Sequence, residues 1–382
     1  MARSLMIVAG EVSGDMYGGR LARALLEAEP GMKLTGIGGN AMAEAGVQLQ
    51  LHISDLSIMG FWEVLREAGR LRKILKGARD SLRRSKPDGL ILIDFYRFNI
   101  VLAREAKKLG IPVIYYVAPK LWVWGRGRIR QLRKYVDRIL AIFPFEEGFY
   151  RSLGMPVTYV GNPLTEILGE GDRTEPAPLL KREEGKTVVS ILPGSRVSEV
   201  RHLLPPFLGA VQLISRELEG KVQLYLPLPQ TISRTLVEEM IEKAGIEVTV
   251  TDGRSREVLG VSDISLIASG TATLEAFLLG TPQVVAYRTS WLTYFLGKRI
   301  VRIERFSLPN ILAGREVVEE LLQEEVIPER LARAALRMLE TGSDARAQYL
   351  RAGQEVLTAL MGAKASRLAA RSVLETIQGD GK

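Results

Sequence analysis

Four short segments of this sequence combine residue types that could carry chemistry. Residues 10–15 (GEVSGD), 192–196 (LPGSR) and 268–275 (ASGTATLE) each follow an apolar run and lead into a helical pattern. Asp94 ends a fourth apolar run, residues 91–93. Backbone amides at a helix N-terminus favour an anion, and a carboxylate at the end of a strand can act as a general base. We therefore expect phosphate binding together with abstraction of a proton.

The two segments in the second half of the chain suit a nucleotide-sugar donor. The amides of residues 270–273 can hold a pyrophosphate, and Glu275, one turn further on, can reach ribose hydroxyls. Residues 194–196 add a guanidinium to another anion-ready turn, without the Gly-Lys-Ser/Thr ending of a P-loop, which disfavours ATP hydrolysis. The sequence has no D-x-D triplet and no His/Cys cluster, so a metal-free mechanism is expected.

The segments in the first half are open to structural explanations as well. In residues 10–15, Ser13 or Asp15 suits a helix N-cap as well as a ligand site. Asp94 is followed by Arg97 and Asn99, which can orient nearby groups, but an Asp at this position is often only a cap. Residues 36–41 fit the dinucleotide pattern G-x-G-x-x-A, yet they do not follow the first strand. We interpret them as a tight loop.

Composition excludes several classes of protein. The chain has 382 residues, 46% of them hydrophobic and 25% charged, which is typical of a globular protein of about two domains. It contains no Cys and two His, so disulfide frameworks, thiolate catalysis and Cys-based zinc sites are excluded. Without an apolar run of about 18 residues or a cleavable leader, a cytoplasmic protein is expected.

Positive charge is concentrated in the first half. Residues 1–165 carry 25 Lys and Arg against 15 Asp and Glu, whereas the remainder carries 27 against 29. Residues 61–84 form a basic amphipathic pattern suited to anionic lipid, although a core-facing helix with a basic outer face explains it too. The Trp122/Trp124 pair, followed by basic residues, is equally open to stacking, lipid contact or burial. The residues predicted to contact a membrane are Phe61, Trp62, Leu65, Arg66, Arg72 and Lys73.

Strand-like and helical segments alternate in both halves, which predicts parallel sheets covered on both faces. We expect two doubly wound α/β domains facing across a cleft, residues 1–168 and 186–355, joined by a Gly- and Pro-rich linker. The basic helical pattern directs the first domain toward a membrane, and the turns of the second half suit the second domain to the donor. Residues 345–378 are helical in pattern, and a last helix at about 356–378 is expected to return to the first domain.

Eight motifs, in order along nearly the whole chain, together resemble the lipid-A-disaccharide synthase family of bacterial glycosyltransferases. One such motif is weak evidence, but eight in order are specific. They are residues 9–15 (AGEVSGD), 58–60 (IMG), 117–119 (VAP), Trp122 with Trp124, 143–146 (FPFE), 192–196 (LPGSR), 268–275 (ASGTATLE) and 307–316 (SLPNILAGRE).

The resemblance implies a GT-B fold and a reaction. Diacylglucosamine would be transferred, with inversion, from UDP-2,3-diacylglucosamine to 2,3-diacylglucosamine 1-phosphate (lipid X), giving a β-1,6-linked disaccharide and UDP without a cofactor or metal. It also implies a peripheral location on the cytoplasmic face of the inner membrane, no nucleic-acid partner, and compatibility with a homodimer. The implied catalytic residues are Asp94 as base and Arg196. The implied donor-binding residues are Gly194, Ser195, Ser269, Gly270, Thr271, Ala272, Thr273, Glu275 and Asn310, and those on the acceptor side are Gly10, Glu11, Ser13, Gly14, Asp15 and Asn99.

Two positions depart from the family pattern. The family has D-x-P-x-F-N where this chain has residues 94–99 (DFYRFN), so Arg97 replaces a second acid near Asp94. Asn162 stands where a histidine is common. Another GT-B enzyme, an epimerase or a transferase with a soluble acceptor, is the alternative function, although a soluble acceptor gives no reason for the basic helix. A nucleic-acid-binding module is a third hypothesis, but it leaves the anion-ready turns of the second half without a purpose.

Overall fold

The computed structural model describes residues 2–55, 64–119, 121, 126–169, 180–289, 305–340, 342–361 and 364–379. The chain divides into two compact units. The first comprises the described residues up to Ile167 together with those from Leu360 onward, and the second runs from Leu168 to Ala359.

The first unit is built on a seven-stranded sheet in the order β3-β2-β1-β4-β5-β6-β7, and its described pairings are all parallel. Its central strands are continuous apolar runs, as expected for strands buried on both faces. The strands are β1 (Ser4–Ala9), β2 (Lys33–Gly38), β3 (Gln48–His52), β4 (Gly89–Ile93), β5 (Val113–Tyr116), β6 (Arg138–Ala141) and β7 (Val157–Tyr159).

Helices connect these strands and cover the sheet. A large apolar core forms under α3, α4 and α5, where it includes Leu82 and Leu102. The last helix of the chain, α15, packs against α1, where Arg367 pairs with Glu27 at 3.3 Å. The helices of this unit are α1 (Val12–Ala28), α2 (Asn40–Glu44), α3 (Val64–Ser85), α4 (Tyr96–Lys108), α5 (Arg126–Tyr135), α6 (Pro144–Ser152), α7 (Pro163–Gly169) and α15 (Ala365–Gln378).

The second unit repeats this architecture with a six-stranded sheet in the order β10-β9-β8-β11-β12-β13, again with parallel pairings throughout its described strands. The strands are β8 (Thr187–Leu192), β9 (Val222–Leu228), β10 (Thr249–Asp252), β11 (Ile264–Ala268), β12 (Gln283–Tyr287) and β13 (Glu320–Leu322). The helices are α8 (Val197–Glu217), α9 (Arg234–Ala244), α10 (Ser255–Val261), α11 (Thr271–Leu279), α12 (Leu308–Ala313), α13 (Pro328–Leu339) and α14 (Asp344–Leu360).

The prediction of two doubly wound parallel α/β units is confirmed, with local differences. The sequence did not predict β3 or β13, which have five and three residues and lie at the sheet edges. Edge strands of this length bury little apolar surface and therefore carry a weak pattern. The helical pattern of residues 345–378 is two helices, α14 and α15.

Candidate active site

The predicted chemical segments lie at the point in each sheet where the strand order reverses. In the first unit β1 pairs with both β2 and β4, and Ala9 is in register with Ile93. In the second unit β8 pairs with both β9 and β11, and Ile267 is in register with Leu192. Ligands of doubly wound sheets bind outside the carboxyl ends of the strands at these switch points. Each unit therefore presents two of the four segments at one such point.

Asp94, directly after β4, is held by its backbone in an uncommon conformation. Asp94 and Phe95 have φ angles of 46° and 43°, in the left-handed region, which costs about 1–3 kcal/mol per residue when the surroundings impose it. The buried amide of Asn99 donates to the Asp94 carbonyl oxygen at 2.8 Å and to that of Ile93 at 3.2 Å. The Tyr115 hydroxyl donates to the same Asp94 carbonyl. The half-buried Asp94 side chain thus projects from a fixed backbone at the carboxyl end of β4.

The turn after β1 packs directly on the Asp94 segment. A Cβ added at Gly10 would lie 2.3 Å from Cγ of Phe95, and one added at Gly14 would lie 3.4 Å from Cγ2 of Ile93. Glu11 and Ser13 in the same turn are partly exposed. The structure therefore brings residues 10–14 and Asp94 together within the first unit.

The carboxylate of Asp15 accepts hydrogen bonds from three backbone amides of the protein. Its Oδ1 accepts from the amides of Gly39 at 2.6 Å and Met42 at 3.1 Å, and its Oδ2 accepts from Ala41 at 3.0 Å. Asp15 is 5% exposed. It caps α2, and a Cβ added at Gly39 would lie 2.7 Å from its Oδ2. Gly39 thus makes room for a carboxylate of the chain itself, whereas Gly36 packs against the backbone of Ile7.

The turn from β11 to α11 leads into a helix whose first turn contains no acidic residue. Gly270 is the N-cap of α11 and, as a glycine, has no side chain with which to cap it. The first amides of a helix have no partner within the helix. The Thr273 hydroxyl donates to the Gly270 carbonyl at 2.7 Å, and Ser269 donates from its amide to Ala286 at 2.9 Å. Thr271 and Ala272 are the first residues of α11, so their amides are among those without a partner in the helix.

Glu275, one turn into α11, is paired with Arg256 of α10. Nε of Arg256 lies 2.9 Å from Oε1 of Glu275, and the two side chains are 24% and 14% exposed. The arginine fixes the carboxylate beside the α11 turn, which leaves its second oxygen as an acceptor for hydroxyl groups.

The turn from β8 to α8 contains an internal anion. Oε2 of Glu199 accepts from the amides of Ser195 at 3.0 Å and Arg196 at 3.3 Å, and Oε1 lies 3.3 Å from Nη1 of Arg196. Gly194 has φ +113°, and a Cβ there would lie 2.3 Å from Oε2 of Glu199. The Arg196 side chain is 62% exposed and pairs with Glu199, while the amides of residues 195 and 196 are engaged by the same carboxylate.

Asn310 is fully buried and saturated with hydrogen bonds. Its amide donates to the Val318 carbonyl at 2.9 Å and to Glu320 at 2.8 Å, and its oxygen accepts from the amides of Val317 and Val318. Glu320 also accepts from the amide of Ser307, the N-cap of α12. Asn310 therefore shapes the loop after α12 rather than presenting its own polar atoms.

The predicted membrane residues fall partly outside the described chain. Phe61 and Trp62 lie outside the described residues, as does the Trp122/Trp124 pair, and the side chains of Leu65 and Arg66 are not described. Arg72 and Lys73 are exposed on α3, whose Ala78 and Leu82 are buried in the core. The described part of α3 thus has an apolar inner face and a basic outer face. Within the described residues, no helix combines the length and apolarity that crossing a bilayer requires.

The two departures from the family pattern have local explanations. Arg97 is exposed on α4. Asn162 is fully buried and caps α7, because its side-chain oxygen accepts from the Leu164 amide at 3.0 Å. Across the described residues, no three His, Asp or Glu side chains form a group that could hold a metal.

Sequence reasoning missed the residues that position the predicted ones. Tyr115 holds the Asp94 backbone, Glu199 holds Arg196, Arg256 holds Glu275, and Glu320 holds Asn310. Only Glu199 had a readable signal, since an acid three residues after a helix N-cap is typical of a capping box. The others depend on contacts between elements that are distant in sequence.

Comparison with known proteins supplies the remaining evidence. A family model described as lipid-A-disaccharide synthetase matches residues 5–374. A lipid-A-disaccharide synthase of Myxococcus xanthus is 41% identical over 374 residues, covering 98% of this chain and 97% of that protein. Another, of Trichlorobacter lovleyi, is 38% identical over 381 residues, covering 98% of each chain.

Solved structures resemble the chain in fold. The UDP-GlcNAc 2-epimerase of Neisseria meningitidis, solved with UDP-GlcNAc, has a TM-score of 0.67 at 15% identity and covers 97% of this chain and 100% of its own. The calicheamicin glycosyltransferase CalG4 has a TM-score of 0.59 at 15% identity and covers 100% of each chain. The prediction of a GT-B fold is therefore confirmed, since these neighbours are a GT-B epimerase and a GT-B glycosyltransferase.

Proposed function

The chain belongs to the lipid-A-disaccharide synthase family, and from this premise we propose how its residues perform the family's reaction. The enzyme is a glycosyltransferase that joins UDP-2,3-diacylglucosamine to 2,3-diacylglucosamine 1-phosphate and releases UDP. The observation that carries this function is the 41% identity to the Myxococcus xanthus synthase over 98% of the chain. The epimerase alternative is not favoured, because the epimerase structures share only 12–15% identity with the chain and support its fold alone.

Asp94 is proposed as the base. Inversion requires one group to accept the proton of the acceptor 6-hydroxyl while its oxygen attacks the anomeric carbon. Asp94 lies at the carboxyl end of β4, and Asn99 and Tyr115 fix its backbone. A base held in this way keeps its direction through the reaction, which general-base catalysis requires.

The second unit is proposed to bind and stabilise UDP. As the bond between the anomeric carbon and UDP breaks, its electron pair and negative charge pass to the diphosphate. The amides of Thr271 and Ala272 and the guanidinium of Arg196 are donors for such an anion. Glu275, held by Arg256, is an acceptor suited to ribose hydroxyls. Ser269, Gly270 and Thr273 shape this turn, and Asn310 shapes the loop after α12.

The turn after β1 is proposed to face the acceptor. Gly10 and Gly14 give the turn its close contact with Phe95 and Ile93, while Glu11 and Ser13 are its partly exposed polar side chains. Asp15 contributes by fixing α2 behind this turn. Asn99 contributes through the Asp94 backbone.

The mechanism is proposed to need no metal ion, because Arg196 and the α11 amides supply the positive potential that the leaving diphosphate requires. Turnover in excess EDTA is expected to equal turnover without it. Loss of activity in EDTA that Mg²⁺ restores would contradict this part of the proposal.

We further propose that the basic outer face of α3 binds an anionic membrane surface, at the cytoplasmic face of the inner membrane where a diacylated acceptor resides. The double variant Arg72→Glu/Lys73→Glu is expected to lose flotation with anionic vesicles at low salt. The matched control Lys243→Glu/Arg333→Glu changes two exposed cations of the second unit and is expected to float like the wild type. Equal flotation of both variants would reject α3 as the contact. A homodimer stays a prediction, which light scattering checks.

One assay tests the central proposal. Purified protein is mixed with both diacylated substrates, and the products are identified by mass. We expect the disaccharide 1-phosphate and one UDP per disaccharide, with no UDP when either substrate is omitted. UDP release without the lipid acceptor, or a 2-epimer of the donor as product, would overturn the function.

A further inference from the structure

The carboxylate of Glu199 occupies a place that the sequence suggested for a phosphate. It accepts from the amides of Ser195 and Arg196 at 3.0 and 3.3 Å. The Glu199 side chain is only 21% exposed, so it is packed into the turn. These two amides are therefore already hydrogen-bonded within the protein when no nucleotide is bound.

Gly194 packs closely against the Glu199 side chain. Gly194 has φ +113°, a conformation that side chains rarely adopt, and an added Cβ would lie 2.3 Å from Oε2 and 2.7 Å from Cβ of Glu199. The requirement for glycine therefore comes from both the backbone and the carboxylate. Burial and the nearby negative charge of Glu199 raise the pKa of Tyr287 at the end of β12, while the charge of Arg196 lowers it, so both charged side chains lie near the carboxyl end of that strand.

The second oxygen of Glu199 acts on Arg196. Oε1 lies 3.3 Å from Nη1 of Arg196, whose side chain is 62% exposed. An exposed arginine samples many rotamers, and ordering it costs up to about 2 kcal/mol. A carboxylate at the base of the guanidinium lowers that cost by limiting the directions that it samples.

We propose that Glu199 is a positioning residue that directs the Arg196 guanidinium toward the diphosphate of the UDP donor, while the amides of residues 195 and 196 take no part in phosphate binding. This inference rests on the proposed function for the identity of the ligand. It adds a residue that does not touch the donor and acts through Arg196. It also predicts the direction in which UDP affinity changes. If Glu199 positions Arg196, removal of its charge weakens UDP binding. If Glu199 instead competed with phosphate for the amides, removal of its charge would strengthen UDP binding.

The test measures the dissociation constant of UDP alone by titration calorimetry. Glu199→Gln keeps an oxygen for the two amides but loses the charge that holds Arg196, so we expect Kd to rise about 3–10-fold. Arg196→Ala is expected to raise it about 10-fold or more. The double variant is expected to bind like Arg196→Ala alone, because Glu199 acts through that arginine.

Glu325→Gln is the matched control. Glu325 accepts from the Leu322 amide at 3.2 Å and pairs with Arg330 at 2.8 Å, so it makes the same two kinds of contact elsewhere in this unit. Its Kd for UDP is expected to equal that of the wild type. A lower or unchanged Kd in Glu199→Gln, or effects of the two substitutions that add in the double variant, would overturn the positioning role. Wild type that binds UDP but forms no disaccharide would instead refute the proposed function alone.

Discussion

Replacing Gly10 with Ala tests whether the turn after β1 fixes the catalytic base. Gly10 does not have a positive φ, so its backbone tolerates alanine and only space is limiting. The new Cβ would lie 2.3, 2.4 and 2.8 Å from three atoms of the Phe95 ring. Carbon atoms pack at about 3.5–4.0 Å, so the ring or the turn must move by about 1 Å. Because Phe95 follows Asp94 directly, this movement reaches the base.

The expected effect on turnover is large and the effect on stability is moderate. A displacement of about 1 Å at a reacting group costs up to about 10²-fold in rate, so kcat of Gly10→Ala should fall about 10–100-fold. Overpacking should lower the free energy of unfolding by about 1–3 kcal/mol. UDP release under saturating substrates measures the first, and urea unfolding measures the second.

Gly148→Ala, in α6 of the same unit and away from this turn, is the control. A Cβ added there would meet no atom within 4 Å, and alanine inside a helix gains up to about 1 kcal/mol over glycine. We expect turnover near that of the wild type and equal or greater stability. If Gly10→Ala kept wild-type kcat, or if both variants lost it equally, the link from Gly10 through Phe95 to Asp94 would be wrong.

Three further outcomes follow from the structure. Asp94→Asn should lower kcat about 10²–10⁴-fold without changing the Kd for UDP; unchanged kcat would reject the base. Burial alone would raise the pKa of Glu105, but hydrogen bonds and charge from Arg83 and Arg79 outweigh it and hold that pKa below its usual value. The resulting stabilisation exists above the unfolded-state pKa of about 4.3 and is lost as pH falls through the lower folded value. Glu105→Gln should therefore cost about 1–2 kcal/mol at pH 7 and progressively less as pH falls below the unfolded-state pKa, measured as urea midpoints across this range; a constant difference would contradict the ion pairs. Asp15→Ala removes the acceptor of three amides and should cost about 2–3 kcal/mol in the same assay, and a cost under about 0.5 would refute the cap.

The fold was predictable because its central strands are long apolar runs with clear interruptions. Residues 4–9 and 187–192 were identified with the boundaries that the structure has. The strand order was not readable, since nothing local in a sequence states that β1 lies next to β4 or β8 next to β11. That order decides which segments share a switch point, and so it decides which predicted residues meet.

The sequence identifies Asp94 and Asn310 as candidate site residues, and the structure adds the contacts that hold each of them. Asp94 was recognised as a carboxylate at a strand end, but its left-handed backbone and its contacts with Asn99 and Tyr115 depend on packing across the sheet. Asn310 was identified from the resemblance as a residue beside the donor. The structure adds that its four hydrogen-bonding positions are used by residues 317–320.

Anion-ready turns look alike in sequence but differ in whether the chain already supplies the anion. Asp15 fills the amides at the start of α2, Glu146 accepts from residues 142 and 143 at the start of α6, and Glu199 does the same at α8. The N-cap of α11 is Gly270, which has no side chain, and the first turn of this helix contains no acidic residue. A helix N-terminus beside a switch point attracts a phosphate through its first amides and its partial positive charge. This contrast is the physical reason for assigning the diphosphate amides to α11 and leaving α8 to contribute through the guanidinium of Arg196.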